Sequence, residues 1–176
     1  VNGISAEPIR TARLDLLPLR VEYAEEMAEV LADPALHTFI GGAPQTVDEL
    51  RARYRRLVTG SPEPDVSWLN WVIRLREEGC LAGTVQATVT NSAEGLLAEV
   101  AWVVGTPWQG RGIAGEAARG LVGWLGGMSV RTVVAHVHPE HAASAAVAAG
   151  AGLVATGEWH EGELRWRRRM PAEGDA

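Results

Sequence analysis

Gln109-Gly110-Arg111-Gly112-Ile113-Ala114-Gly115 lies past the middle of a chain of 176 residues. Its glycines let backbone N–H groups approach an anion closely, and the helical pattern that follows offers a positive N-terminal end. Two spacings compete over the same residues. Gly110-x-Gly112-x-x-Gly115 is the dinucleotide fingerprint, whereas Gln109-x-x-Gly112-x-Ala114 describes a different phosphate cradle. The first leads to hydride transfer and the second does not, so the choice settles both fold and chemistry.

The dinucleotide spacing needs its glycines directly after a strand, and an acidic residue about 20 positions further on for the ribose. Here Gly105-Thr-Pro-Trp-Gln109 intervenes, and the next apolar run ends in His136-Val-His138, with no carboxylate at its tip. More than half of the chain lies upstream and is rich in strand patterns. A nicotinamide enzyme is therefore the weakest of the readings considered.

The flanking periodicities give the order of elements. Leu14–Leu19 reads as a strand that Pro18 confines to an edge or an exit. Val21–Ala32 reads as an amphipathic helix ended by Asp33-Pro34, and Thr46 with Glu49 forms a capping box for a second helix through Tyr54 and Leu57. Trp71–Arg76, Leu81–Thr90 and Ala98–Val104 read as strands, the first two joined at Glu77-Glu-Gly79. A helix over Gly115–Leu125, a buried strand over Thr132–Val137 and an alanine-rich helix over Ala142–Ala149 follow. Leu153–Trp159 and Glu163–Met170 close the chain as a hairpin. This is an α/β order with a mixed sheet, without the strand–helix alternation of a doubly wound domain.

Composition narrows the chemistry. The net charge is −6, which argues against a nucleic-acid partner held by bulk electrostatics. All 16 basic residues are arginine, so no lysine serves as base, Schiff-base former or phosphate ligand. The single Cys80 excludes an internal disulfide and a cysteine cluster. No run approaches the roughly 20 apolar residues of a membrane span. The expectation is one cytoplasmic domain over residues 1–176, with an ordered core of about 9–170 and frayed ends over the first seven residues and Pro171–Ala176.

Several stretches together resemble the GNAT superfamily of N-acetyltransferases, in particular its RimJ/RimL-like branch. Thr11-Ala-Arg13-Leu14 is similar to that branch's opening T-x-R-L, Gly83 to a strand glycine, and Ala98-Glu-Val-Ala-Trp102 to its A-E-I-G-Y strand. Gln109-Gly-Arg-Gly-Ile-Ala-Gly-Glu-Ala117 is similar to its Q-G-x-G-x-A-x-E-A loop. The resemblance spans roughly Ile9 to Met170. It implies a GNAT fold: a mixed, mostly antiparallel sheet of six to seven strands, splayed between the fourth and fifth, with about four helices. It also implies a bacterial acyl-CoA-dependent N-acyltransferase, with acetyl-CoA as donor and a primary amine, on a peptide N-terminus or a small molecule, as acceptor. No metal, nucleic acid or membrane is implied, and the protein is expected to be a monomer or homodimer.

The same resemblance assigns the site. Gln109, Gly110, Arg111, Gly112, Ile113 and Ala114 cradle the pyrophosphate, with Arg111 alternatively a solvated charge. Val103 and Val104 offer the pantetheine arm a strand edge, and a backbone donor near Val104 faces the thioester oxygen. Glu99 is the expected base, or else a solvent-facing residue near a strand end. Ser144 protonates the departing thiolate, or else caps or packs its helix. Val137-x-Pro139-x-His141-x-Ala143-Ser144 departs from the family pattern by placing His141 where asparagine is usual. His141 then contacts the pantetheine arm or substitutes for a cap. Many members carry a tyrosine four residues beyond Ser144, where this chain has Ala148. These two departures keep open a catalytically weak acyl-CoA-binding sensor or partner module. Trp68, Trp71 and Trp102 are candidates for the acceptor pocket or for core. Arg165, Arg167 and Arg169 pair with acids, stay solvated, or hold an anionic acyl group such as succinyl. His136 and His138 lack a third metal ligand.

Overall fold

The computed structural model describes residues 3–171, and eight strands among them join one sheet in the order β1-β2-β3-β4-β5-β6-β8-β7. The strands are β1 (Ile9–Arg10), β2 (Leu14–Pro18), β3 (Ser67–Leu75), β4 (Cys80–Ser92), β5 (Gly95–Val104), β6 (Val130–Val137), β7 (Val154–His160) and β8 (Glu163–Arg169). The helices are α1 (Ala24–Val30), α2 (His37–Ile40), α3 (Val47–Thr59), α4 (Ile113–Gly127) and α5 (Ala142–Gly150). The count exceeds the expectation because β1 is two residues long and α2 four, too short for any period to show. Pro18 is the last residue of β2, as its missing N–H requires.

Strand alternation sorts two cores onto the two faces. Leu69, Trp71, Val85, Ala98, Val100, Val133 and Ala135 meet Ala117, Leu121 and Leu125 of α4 on one face. On the other, Val72 and Leu81 meet Met27 of α1 and Leu50 and Tyr54 of α3. The capping box at Thr46 and Glu49 is present and starts α3. No described helix is long and apolar enough to cross a membrane. Of the first seven residues, expected to be frayed, 1–2 lie outside the described ones and the rest are tied to β3 through Ile4 and Glu7. Ile4 N–H donates to the Ser67 hydroxyl and the Trp71 indole donates to the Glu7 carbonyl at 2.8 Å. At the other end, the Pro171 carbonyl accepts from Arg131, and residues 172–176 of the expected tail lie outside the described ones.

One junction positions the site. β5 pairs with β4 along its whole length, from Gly95 with Ser92 to Val104 with Gly83. With β6, the sheet's one parallel neighbour, it pairs only from Leu96 to Glu99. Beyond Glu99 the two strands part. Gly105 N–H bonds the Ala82 carbonyl, so odd-numbered residues of β5 turn their main chain toward β4. The main chain of Trp102 and Val104 therefore faces the gap. Gly83 is required opposite it, because a Cβ there would sit 2.1 Å from the Val103 carbonyl oxygen.

Candidate active site

Past the gap, β5 ends in a 3₁₀ turn and then the glycine loop. Gly110 and Gly112 hold φ of 76° and 75°, a region that favours glycine. Gly112 is the N-cap of α4 and supplies no side-chain bond to its first turn, so the N–H groups of that turn stay open to an anion. The loop is braced from several sides. Glu116, one turn into α4, accepts from the Thr11 hydroxyl at 2.5 Å, the Arg13 N–H at 2.8 Å and the Arg13 guanidinium at 2.7 Å. Burial alone raises the Glu116 pKa. The bonds from Thr11 and Arg13 together outweigh it and hold the carboxyl below its ordinary range. Arg13 also donates to the Arg111 carbonyl at 2.9 Å.

Two loop side chains are engaged elsewhere. Gln109 donates to the Val104 carbonyl at 3.0 Å, closing one of the main-chain groups that the parting of β5 and β6 leaves open. Arg111 reaches Glu78 on the β3–β4 turn at 2.5 Å. The sequence suggests a phosphate bond for Gln109 and, for Arg111, either a phosphate or a solvated charge. In the folded chain each is already paired, and the loop's unpaired donors are its N–H groups.

On the α1–α3 face of the sheet, the gap opens into a cavity of about 880 Å³. Its floor is the outward row of the central strands: Asn70, Thr84, Gln86, Glu99, Ala101 and His136. Phe39 and the loop after α2 form one wall and α3 another, while His141 and Ser144 close the end nearest α5. Glu99 and His136, on neighbouring strands, are joined by a 2.9 Å contact between Oε1 and Nδ1. An ionised carboxylate only accepts, so Nδ1 carries the hydrogen and Nε2 of a neutral ring is left to accept a proton. The His160 ring lies 5.0 Å from that of His136.

His138 lies past the end of β6 and turns to Phe39 instead, so the two histidines do not act as a His-x-His pair. Phe39 also stacks on His141 at 4.3 Å and 9°. Burial, and then the nearby His138, hold the His141 imidazole below its ordinary pKa, so it is neutral at pH 7. His141 stands at the N-cap of α5 without a side-chain capping bond, which removes the cap-substitute reading. Among the described residues no three His, Cys, Asp or Glu are grouped to hold a metal.

A family model described as acetyltransferase (GNAT) domain matches residues 13–154. The chain belongs to the GNAT acetyltransferase family. Solved structures of similar fold include a GNAT-family acetyltransferase from Bacillus anthracis, at 19% identity and a TM-score of 0.76 over 93% of this chain and 98% of that one. RimL, a ribosomal L7/L12 α-N-protein acetyltransferase in complex with coenzyme A, superposes with a TM-score of 0.76 at 16% identity, covering 93% and 98%. The Microcin C7 self immunity acetyltransferase in complex with acetyl-CoA and AMP does so with a TM-score of 0.74 at 16% identity, covering 91% and 94%. No curated protein matches the chain in sequence.

As a GNAT domain, the chain brings Glu99, Val103, His141 and Ser144 into one cavity, while Gly110–Ala114 lie outside it, beyond the end of β5. Ala148, at the position where many members have a tyrosine, is fully buried in the core. Of the three tryptophans, Trp102 lines the cavity and Trp68 lines a second one of about 330 Å³. Trp71 borders the main cavity but is fully buried, edge-on to Trp124 at 5.3 Å. Arg167 pairs with Glu158, and Arg169 lies 3.8 Å from Glu94, so two of the three alternating arginines face acids. Phe39, Tyr54, Asn70, Thr84 and Gln86 are cavity residues to which sequence reasoning gave no role, and His136 was weighed there only as a metal ligand. The signal for His136 was present, since β5 and β6 each place every second residue on the same face.

Proposed function

We propose that this chain transfers the acetyl group of acetyl-CoA to a primary amine by direct attack of the amine on the thioester. The observation that carries the reading is the Glu99–His136 pair, placed in the cavity beside the point where β5 leaves β6. An ammonium cannot attack, so the site must first remove a proton. His136 Nε2 accepts it, and Glu99 orients the ring and stabilises the imidazolium that forms, the division of labour familiar from carboxylate–histidine catalysis.

The remaining groups follow from position. The N–H groups of Gly110, Gly112, Ile113 and Ala114 hold the pyrophosphate, and Gln109 and Arg111 fix the loop that presents them. Val103 and Val104 form the strand edge for the pantetheine arm, and the Val104 N–H faces the oxygen on which charge develops. Acetyl-CoA supplies the thioester carbon; a C–N bond forms there, the C–S bond breaks, and the thiolate takes a proton. Ser144 lies on the cavity with no protein hydrogen-bond partner among the described residues, and its hydroxyl relays to the thiolate the second proton that the attacking nitrogen gives up as the C–S bond breaks. His141, neutral and stacked on Phe39, borders the arm between the two ligands. The coenzyme A and acetyl-CoA of the two superposed structures support the choice of donor.

Mixing acetyl-CoA with a wide panel of amines and following thiol release tests the reading. Amine-dependent release, together with a raised melting temperature in acetyl-CoA but not in NAD, is expected. Stabilisation by acetyl-CoA with no release across the panel would leave a binding module and end the transferase reading.

A further inference from the structure

The reacting pair occupies one side of the cavity only. Across the floor from Glu99 stands a patch of neutral polar side chains that the chemistry above does not use. Gln86 faces Asn70 on β3 and Ala101 on β5, and Thr84 lies two residues along β4. Tyr54 of α3 forms the wall beside them. Its hydroxyl is buried and has no hydrogen-bond partner among the described residues. The side chains of Asn70, Thr84 and Gln86 are likewise without protein partners among the described residues.

A buried hydroxyl left unpaired is costly. Beside it Asn70 and Thr84 are half-buried and Gln86 is exposed, so these three side chains are open to a ligand in the cavity. On the same wall Glu49 closes the capping box with Thr46, and Arg53 reaches the Gln45 side-chain oxygen at 3.4 Å.

We infer that Tyr54, with Asn70, Thr84 and Gln86, forms an acceptor subsite for an uncharged oxygen carried by the amine substrate. Asn70 lies two strands and two residues from Glu99. At ordinary strand spacings these two backbone positions are about 12 Å apart, which sets the oxygen on the order of 10 Å from the reacting nitrogen. Burial pushes the Tyr54 phenol up to about 12, so it remains a donor at every working pH. The preferred acceptors are thus elongated amines bearing an amide carbonyl or hydroxyl at their far end, rather than short or wholly apolar amines. The inference rests on the transferase reading for the position of the nitrogen.

The test compares wild type with Tyr54→Phe on monoacetyl diaminohexane, monoacetyl diaminopropane and hexylamine, with acetyl-CoA as donor. Wild type is expected to favour monoacetyl diaminohexane. Tyr54→Phe is expected to raise KM for that amine about threefold to tenfold, the size of one neutral hydrogen bond. Its kcat, its KM for acetyl-CoA and its rate on hexylamine are expected to stay unchanged. The melting temperature of the free variant should be equal to or above that of wild type, because the hydroxyl has no partner to lose. An equal loss on hexylamine, an unchanged KM, or a melting temperature lower by several degrees overturns the subsite. If none of the amines is acetylated, the transferase reading fails by itself. The subsite is then decided by whether monoacetyl diaminohexane raises the melting temperature of acetyl-CoA-loaded wild type more than that of Tyr54→Phe.

Discussion

The two ends of the cleft are built in opposite ways. Around the glycine loop every bracing side chain is spent: Thr11 and Arg13 on Glu116, Arg111 on Glu78, Gln109 on the Val104 carbonyl. What that end offers a ligand is main chain. Around Tyr54 and Asn70 the main chain is consumed by strand and helix, and the side chains are unspent. A pyrophosphate is always the same anion, so N–H groups held still are enough to recognise it. A variable partner needs side-chain chemistry, which one substitution can retune without disturbing the fold.

If the ends are separable, variants should divide cleanly between turnover and coenzyme affinity. The largest effect is expected from His136→Ala, which should lower kcat by about 10²- to 10⁴-fold with acetyl-CoA affinity unchanged. Glu99→Gln should cost about tenfold to a hundredfold, and the double variant no more than His136→Ala alone, because the two act as a unit. Steady-state kinetics alongside calorimetric titration of acetyl-CoA read both quantities. A drop in acetyl-CoA affinity in either variant would break the division.

Gly112→Val probes the opposite end. Forcing a β-branched residue to a φ of 75° is expected to cost about 1–3 kcal/mol of loop geometry. That should appear as at least a tenfold loss of acetyl-CoA affinity, with KM for the amine unmoved. Glu116→Gln loosens the brace rather than the cradle, and chemical denaturation should show a loss of about 1–2 kcal/mol at pH 7. Because the folded Glu116 carboxyl lies below its ordinary value of 4.5, its contribution is present above that value and is lost as pH falls through the lowered one. The difference between wild type and Glu116→Gln should therefore shrink on acidification below about pH 4.5. A gap that persists unchanged there would remove the charge from the explanation. Ser144→Ala is the smallest: a several-fold lower kcat, with acetyl-CoA binding retained. Wild-type turnover would return Ser144 to a packing role.

The glycine loop and the helix start behind it were legible in the sequence because their requirements are local. A left-handed backbone at Gly110 and Gly112, a helix start after them and a strand before them all lie within some twenty residues. Gly83 was equally legible, since the place it marks admits no Cβ. The pairings of Gln109 and Arg111 were not, because their partners are a carbonyl and a carboxylate that only the fold brings near. The acceptor end joins α2, α3, β3, β4, β5 and β6, six segments whose alignment no periodicity states. In the sequence Tyr54 is only a residue of the second helix, and by burial it belongs to the core. Only its unpaired hydroxyl sets it apart, and that is a property of its surroundings. Phe39 was hidden by the brevity of α2, which ends at Gly41 after four residues.

The contact between Thr11 and Glu116 joins residues 105 positions apart. Closing so long a loop carries a substantial entropic cost before any contact within it repays the chain. The β3–β4 hairpin and the β4–β5 hairpin are local and can form early. The brace under the glycine loop needs the first strands and the middle helix to have met across most of the sheet. The glycine loop, simplest to read in one dimension, thus depends on some of the longest-range hydrogen bonds in the described chain.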